Sequence, residues 1–269
     1  MNLTHPIRIA ATGCNNTRPG DPPSTPIANE YGDGERISSV FDGFFGPAPW
    51  VQLKNIYSTD CYDPPDITVL TAGVTISAVD QWDETGNGSI GTVYVQDTLS
   101  PTPLYAGMAL YEPTYSPPAY KPEPGNVVQV AGVYEEYIGP SDLALGRFSQ
   151  CETLPQLEGS ATELFEGEVP KPVVITPEDL NSYANARQYL SMLVTVTNVC
   201  IETTGTESDG RYSAPVVVSG TAWSIDDELW DVYHLMPLTA AQCFTSVTGI
   251  VTFFESFSLA PRSAADFKQ

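Results

Sequence analysis

Apolar and polar residues alternate along this chain in two matching stretches. Val74, Ile76 and Val79 are interleaved with Thr75 and Ser77, and Val194, Val196 and Val199 with Thr195 and Thr197. A period of two predicts a half-buried β-strand at each place. Further on, Val130, Gly132 and Val133, with Tyr137, parallel Val247, Gly249 and Ile250, with Phe254. The offset is 120 residues for the first match and 117 for the second. The same order at a near-constant offset predicts a duplicated domain. A glycine in the middle of each later strand predicts a bulge or sharp bend, which small closed barrels need at their corners.

Residues 91–97, 107–111 and 212–218 supply further strand patterns between the matched segments. Five or so short antiparallel strands in about 110 residues fit a Greek-key barrel of the OB type. One helix is expected at the junction. There Thr176 offers a capping hydroxyl, Pro177 the first helical position, and Glu178 and Asp179 a negative first turn. Leu180, Tyr183, Ala184, Arg187 and Leu190 then follow at helical spacing. The expected architecture is mostly β: an arm or tether at 1–36 and two tandem OB-like barrels, at 37–158 and 159–269, joined by one short linking helix.

Charge narrows the function classes. The 33 acidic and 11 basic residues leave a net charge of -22. Such a field repels phosphate backbones, so no nucleic-acid partner is expected. Solubility in an exposed, salty setting and cation binding both fit it. The 24 prolines and 21 glycines are spread along the length, as frequent turns between short strands require. No stretch reaches the ~18 apolar residues of a membrane span. Residues 1–11 are interrupted by His5, Pro6 and Arg8 and lack the apolar centre of a secretory signal. Residues 11–14, ending in Cys14 and followed by a Pro/Gly/Ser/Thr-rich run, resemble the end of a lipoprotein signal and its tether. Cys14 is either a lipid anchor or a plain cysteine in an extended arm.

Cys61, Cys151, Cys200 and Cys243 have no CxxC spacing and no histidine at ligand distance, which argues against zinc. Four cysteines fit two disulfides in an oxidising compartment. Three pairings are possible. Sequence order and the domain division favour Cys61–Cys151 and Cys200–Cys243, one per domain.

The strand at 91–97, which ends in Gln96 and Asp97, precedes a segment from Pro124 to Tyr137 that carries Gly125, Gly132 and Val133. Together these resemble the OB-fold module that precedes the catalytic domain of bacterial extracellular nucleases. Asn126 stands where that module usually has an aspartate. The end of the second copy, 258–266, is similar to the ends of tandem modules in myxobacterial-type surface lipoproteins of unknown function. The resemblance covers about 66–269 and its motifs are structural. It implies a fold and an extracytoplasmic location, but no activity. The second barrel is expected to run to the end of the sequence, so no phosphodiesterase domain is expected.

A search for chemistry finds little. His234, between Tyr233 and Leu235, reads as a hydrogen-bonded structural imidazole. No nucleophile elbow, phosphate-binding glycine loop or zinc-protease helix is present. A non-enzymatic protein is expected. Asp80, Asp83, Glu84 and Asn87 gather oxygen donors around a glycine turn, which suits either calcium or a solvated hairpin. Asp226, Asp227 and Glu228 form a second such group. Tyr111, Tyr115 and Tyr120 lie in a proline-punctuated stretch, and either make a stacking platform or pack on their own barrel. The expected function is an extracytoplasmic binding or scaffold protein of the bacterial surface, contacting an envelope protein, a glycan or copies of itself. A self-assembling subunit that adds its 6–11 arm to a neighbour's sheet, and an accessory to a separate hydrolase, are the alternatives.

Overall fold

The computed structural model describes residues 67–80, 91–98, 104–137, 139, 152–208, 211–219, 223–254 and 256–269. Strands β1 (Ile67–Val79), β2 (Val93–Gln96), β3 (Gly107–Ser116), β4 (Asn126–Tyr137) and β5 (Leu154–Glu166) form a closed barrel. Its order is β1-β2-β3-β5-β4, antiparallel throughout except where β3 runs parallel to β5. That is the Greek-key path of an OB barrel. β1 serves two neighbours, and its register against β4 shifts between Thr71 and Val74. Gly73 sits in the shift at φ 75°, a left-handed geometry that suits glycine.

The second half contains β6 (Val173–Ile175), α1 (Tyr183–Ala186), β7 (Leu193–Cys200), β8 (Thr206–Ser208), β9 (Arg211–Pro215) and β10 (Ser224–Ile225). It continues with α2 (Val232–Leu235), β11 (Cys243–Phe254), β12 (Ser256–Ala260) and β13 (Phe267–Lys268). The sheet order is β6-β7-β11-β12-β10-β9-β8, with β13 on β11. From β7 to β9 this repeats the path β1-β4-β5-β3-β2, and β10 runs parallel to β12 as β3 does to β5. The ends of the path meet. Ile201 bridges Val216, Val217 donates its N–H to Cys200 O at 2.9 Å, and Glu202 donates to Pro215 O at 2.8 Å.

Several expectations change in detail. The division at 158/159 falls inside β5, which stays paired with β4 as far as Glu166. The junction therefore lies between Glu166 and Val173. No register shift falls at Gly132 or Gly249. A Cβ on Gly132 would lie 2.4 Å from Glu158 O, and one on Gly249 2.6 Å from Ala260 O. Each glycine admits a neighbouring backbone rather than making a bulge. The linking helix is in three short pieces: a 3₁₀ turn over Pro177–Leu180, α1, and a 3₁₀ turn over Arg187–Tyr189. Asp179 Oδ2 accepts from Thr176 N (2.8 Å) and Oγ1 (2.9 Å), so the carboxylate reaches back to the cap residue and the Thr176 hydroxyl serves as a donor to it. Ser182 then caps a fresh start, accepting from Asn185 N at 3.4 Å. Asn181 and Ser182 favour caps over helix interiors, which is why the helix breaks there.

Val74, Ile76, Val95, Leu110 and Leu157 fill the first barrel. Trp223, Tyr212, Val196 and Phe257 belong to the core of the second, where Trp223 Nε1 donates to Pro177 O at 3.0 Å. β1 is buried on both faces from Val74 to Val79, not half-buried, because the second barrel covers its outer side. Leu193 and Ile250 pack there against Ala78, Tyr94 and Ala109. A polar latch holds the linker to the first barrel. Arg187 donates to Glu136 Oε1 at 2.7 Å and to Thr153 Oγ1 at 2.8 Å, and Tyr183 OH donates to Thr153 O at 2.5 Å. Burial opposes the Arg187 charge, but Glu136 and Tyr183 outweigh it and hold the guanidinium protonated.

Candidate functional site

Strand register lays out the outer face of the first barrel. Across β3, β5 and β4, Ala109 aligns with Gln156 and Glu135, then Tyr111 with Glu158 and Val133, then Thr114 with Ser160 and Ala131. Positions two apart on a strand share a face, and a register shift between Tyr111 and Thr114 keeps Thr114 in step. The second barrel stands over the first row. Its Ser191, Arg211, Glu228, Thr252, Phe253 and Phe254 form the facing wall of a cleft of about 400 Å³. A shallower hollow of about 520 Å³ continues over Glu112, Thr114, Ala131, Gly159 and Ser160. Tyr111 and Glu158 line both, so the two are one groove. OB barrels commonly bind ligands on the β2–β3 face. Here Tyr94 and Ala109 of that face pack on the other barrel, and the opening lies beside them.

The groove is acidic. Glu135, Glu158 and Glu228 line the cleft, and Glu112 the hollow. Glu135, then burial, then Glu112 push the Glu158 carboxyl up from its ordinary range. Glu135 accepts from Gln156 Nε2. Glu228 accepts from the Tyr94 hydroxyl across the barrel seam. Burial, with Glu228 next, raises the Tyr94 hydroxyl well above its usual titration range. Behind Glu228, burial pushes Asp226 up to about 6, although Thr252 Oγ1 (3.1 Å) and Glu228 N (3.3 Å) donate to it. The cation in the lining, Arg211, lies 4.6 Å from the centroid of the Phe254 ring. Burial raises the Tyr137 hydroxyl, and Arg211 opposes that rise. Carboxylates, aromatic faces and one ring-stacked guanidinium suit the holding of a ligand. Thr252 Oγ1 donates to Asp226, and among the described residues the lining has no histidine, lysine or cysteine.

The residues anticipated from sequence are scattered. Tyr111 lies in the groove. Tyr115 and Tyr120 pack against the first barrel's core, ring centroids 5.7 Å apart and edge to face, with Tyr120 OH donating to Asn126 Oδ1 at 2.9 Å. Burial pushes both hydroxyls up to about 12. With Tyr111 in the groove and the other two on the core, the three tyrosines do not form one platform. Asp80 is buried, its N–H donating to Thr92 O at 2.9 Å. Asp83, Glu84 and Asn87 lie outside the described residues, as do Cys14, Cys61 and Cys151. Among the described residues no three His, Cys, Asp or Glu side chains are grouped to hold a metal. Asp226, Asp227 and Glu228 serve separate donors: Thr252 Oγ1, the Tyr212 N–H at 3.2 Å, and Tyr94 OH. Exposed His234 takes Asp231 Oδ1 at 2.9 Å on Nδ1, and Asp231 caps α2. Cys200 and Cys243 face each other across β7 and β11 and form a disulfide.

Glu135, Glu158 and Phe253 were not singled out by sequence, since each is an ordinary outward or seam position on its strand, and Glu228 was read only as part of an acidic group with Asp226 and Asp227. Tyr137 and Phe254 did carry a signal. They are the matched aromatics of the repeat, and both line the cleft.

No family model and no curated protein matches the chain. Neither comparison links it to nuclease modules or surface lipoproteins. Among solved structures, one match is a replication protein A heterotrimer bound to single-stranded DNA, at 11% identity and a TM-score of 0.24. That alignment covers 78% of this chain and 53% of the matched chain, so this chain spans about half the length of the one it matches.

Proposed function

We propose that this protein is a non-enzymatic, extracytoplasmic binding or scaffold protein of the bacterial surface, and that its ligand lies in the groove between the barrels. The observation that carries the reading is the walled cleft, where Tyr111 and Tyr137 of the first barrel face Phe254 of the second. Concave, aromatic-lined sites with a few convergent polar groups are where ligands are held. The Cys200–Cys243 disulfide supports an oxidising compartment. The acidic groove and the charge of -22 support a partner other than nucleic acid. A surface envelope protein or a glycan fits the site.

The test is an array of glycans and peptides probed with the native chain, Tyr111→Ala and Phe254→Ala. Hits lost in both variants are expected. Hits indifferent to both variants place the ligand elsewhere and overturn the site, and turnover of a hit overturns the non-enzymatic reading.

A further inference from the structure

We infer that the groove receives an extended peptide segment of a partner protein bearing lysine or arginine. This rests on the binding reading above and adds the chemistry of the occupant. Three features of the groove carry it.

The first is shape. The three outward rows of β3, β5 and β4 step along the strands by two residues each, so the floor runs about 13 Å, the length of about four extended residues. It passes from the walled cleft to an open hollow floored by small residues, Ala131, Gly159 and Ser160, with Thr114 beside them. A chain can enter at the open end with its backbone over that low floor and reach the cleft with one side chain. A compact ligand would use the cleft alone.

The second is charge. Glu112, Glu158 and Glu135 follow one another along the groove, and Glu228 stands on the facing wall. Repulsion from Glu135, then burial, then repulsion from Glu112 hold Glu158 above its ordinary range. A cation lying between Glu135 and Glu158 relieves that repulsion, and an anion adds to it. Among the described residues the guanidinium in the lining, Arg211, lies against the Phe254 ring.

The third is the aromatic lining. Tyr111, at the join of the two parts, and Tyr137, in the cleft, present rings beside the carboxylates. Ring faces attract ammonium and guanidinium groups, and ring with carboxylate together suit an alkyl-stemmed cation.

The test uses the full chain and fluorescence-labelled octapeptides of alternating glycine with lysine, with glutamate, or with serine, plus spermidine as a small-amine competitor. The lysine peptide should bind in the micromolar range and weaken at least tenfold in Glu135→Gln/Glu158→Gln. Glu166→Gln/Glu168→Gln removes the same charge from outside the groove and should change affinity less than threefold. Circular dichroism and thermal unfolding of each variant establish that the fold is kept. Equal weakening by both double variants would show diffuse attraction to an acidic protein and overturn the inference. Spermidine binding as tightly as the peptide, with the same loss in the groove variant, would make the occupant a small amine. Serine or glutamate peptides, or an array glycan, binding in preference and lost in Tyr111→Ala would overturn the cationic chemistry while sustaining the groove as the site. No detectable lysine-peptide binding at 1 mM, on the order of 4 kcal/mol of affinity, also overturns it.

Discussion

The two barrels follow one strand path and hold it closed in different ways. The first has strands of 13, 4, 10, 12 and 13 residues. Their counterparts in the second have 8, 5, 2, 12 and 5. Long ladders satisfy the first barrel's backbone around a core that is mostly aliphatic, with Tyr134 its buried aromatic. The second has less ladder and more side-chain volume: Trp223, Tyr212, Phe244, Phe253, Phe257 and Phe267 share its core. It contains the Cys200–Cys243 disulfide, while Cys61 and Cys151 of the first half lie outside the described residues. Large rings bury much more area per residue than valine does, so a short-stranded barrel can reach comparable cohesion. A duplicated path therefore does not imply a duplicated balance of forces.

The sharpest way to break that comparison is Trp223→Ala. It empties the second core and leaves Pro177 O without its donor, so a loss of about 3–5 kcal/mol is expected. Chemical denaturation measures it, and a loss under about 1 kcal/mol would refute the aromatic-core account. Next is the covalent link. Replacing Cys200 and Cys243 by serine should cost about 2–4 kcal/mol, because the bond closes a loop across a sequence separation of 43. Denaturation of oxidised and reduced native protein should show a difference of the same size. Third, Arg187→Met removes the partner of Glu136, whose side chain is 1% exposed. A loss of about 2–3 kcal/mol should follow, below the full cost of an orphaned charge because Tyr134 OH and Thr153 Oγ1 still donate to Glu136. An Arg187→Met/Glu136→Gln double variant should recover part of it.

The smallest effect is a pH slope. Burial holds Asp226 up to about 6, against an ordinary 3.8. Between these values the folded state binds the proton more readily than the unfolded chain does. This group therefore lowers stability as pH rises through that window, and below it the penalty is absent. From pH 5 to pH 7 it should cost about 1 kcal/mol. Unfolding at the two pH values, native against Asp226→Asn, isolates it, since the variant should lack that part of the slope.

Much of the path was legible in the sequence. Period-two alternation marked β1 and β7, the glycines marked β4 and β11, and the Thr176 cap marked the linker. Cys200 and Cys243 were paired correctly because cysteines at the ends of neighbouring strands are near in sequence order too. The groove was not legible. Its floor is a set of outward positions on three strands, and its far wall comes from residues over 100 positions away, such as Glu228 and Phe254 facing Tyr94 and Tyr111. Those pairings depend on barrel-on-barrel docking through Leu193 and Ile250, for which no local pattern exists. The domain boundary was misplaced for a related reason: β5 stays paired with β4 as far as Glu166.

The Cys200–Cys243 bond has a consequence for how the chain withstands proteolysis. It encloses β8, β9, β10 and α2 within one covalent loop. A protease that cuts one peptide bond anywhere in 201–242 opens that loop without releasing a fragment. The two pieces stay tied at β7 and β11, and the strands on either side of the cut keep their partners in the sheet. A nicked molecule would run at its original mass on a non-reducing gel and separate in two only after reduction. Damage in this stretch becomes a scar in place of a loss.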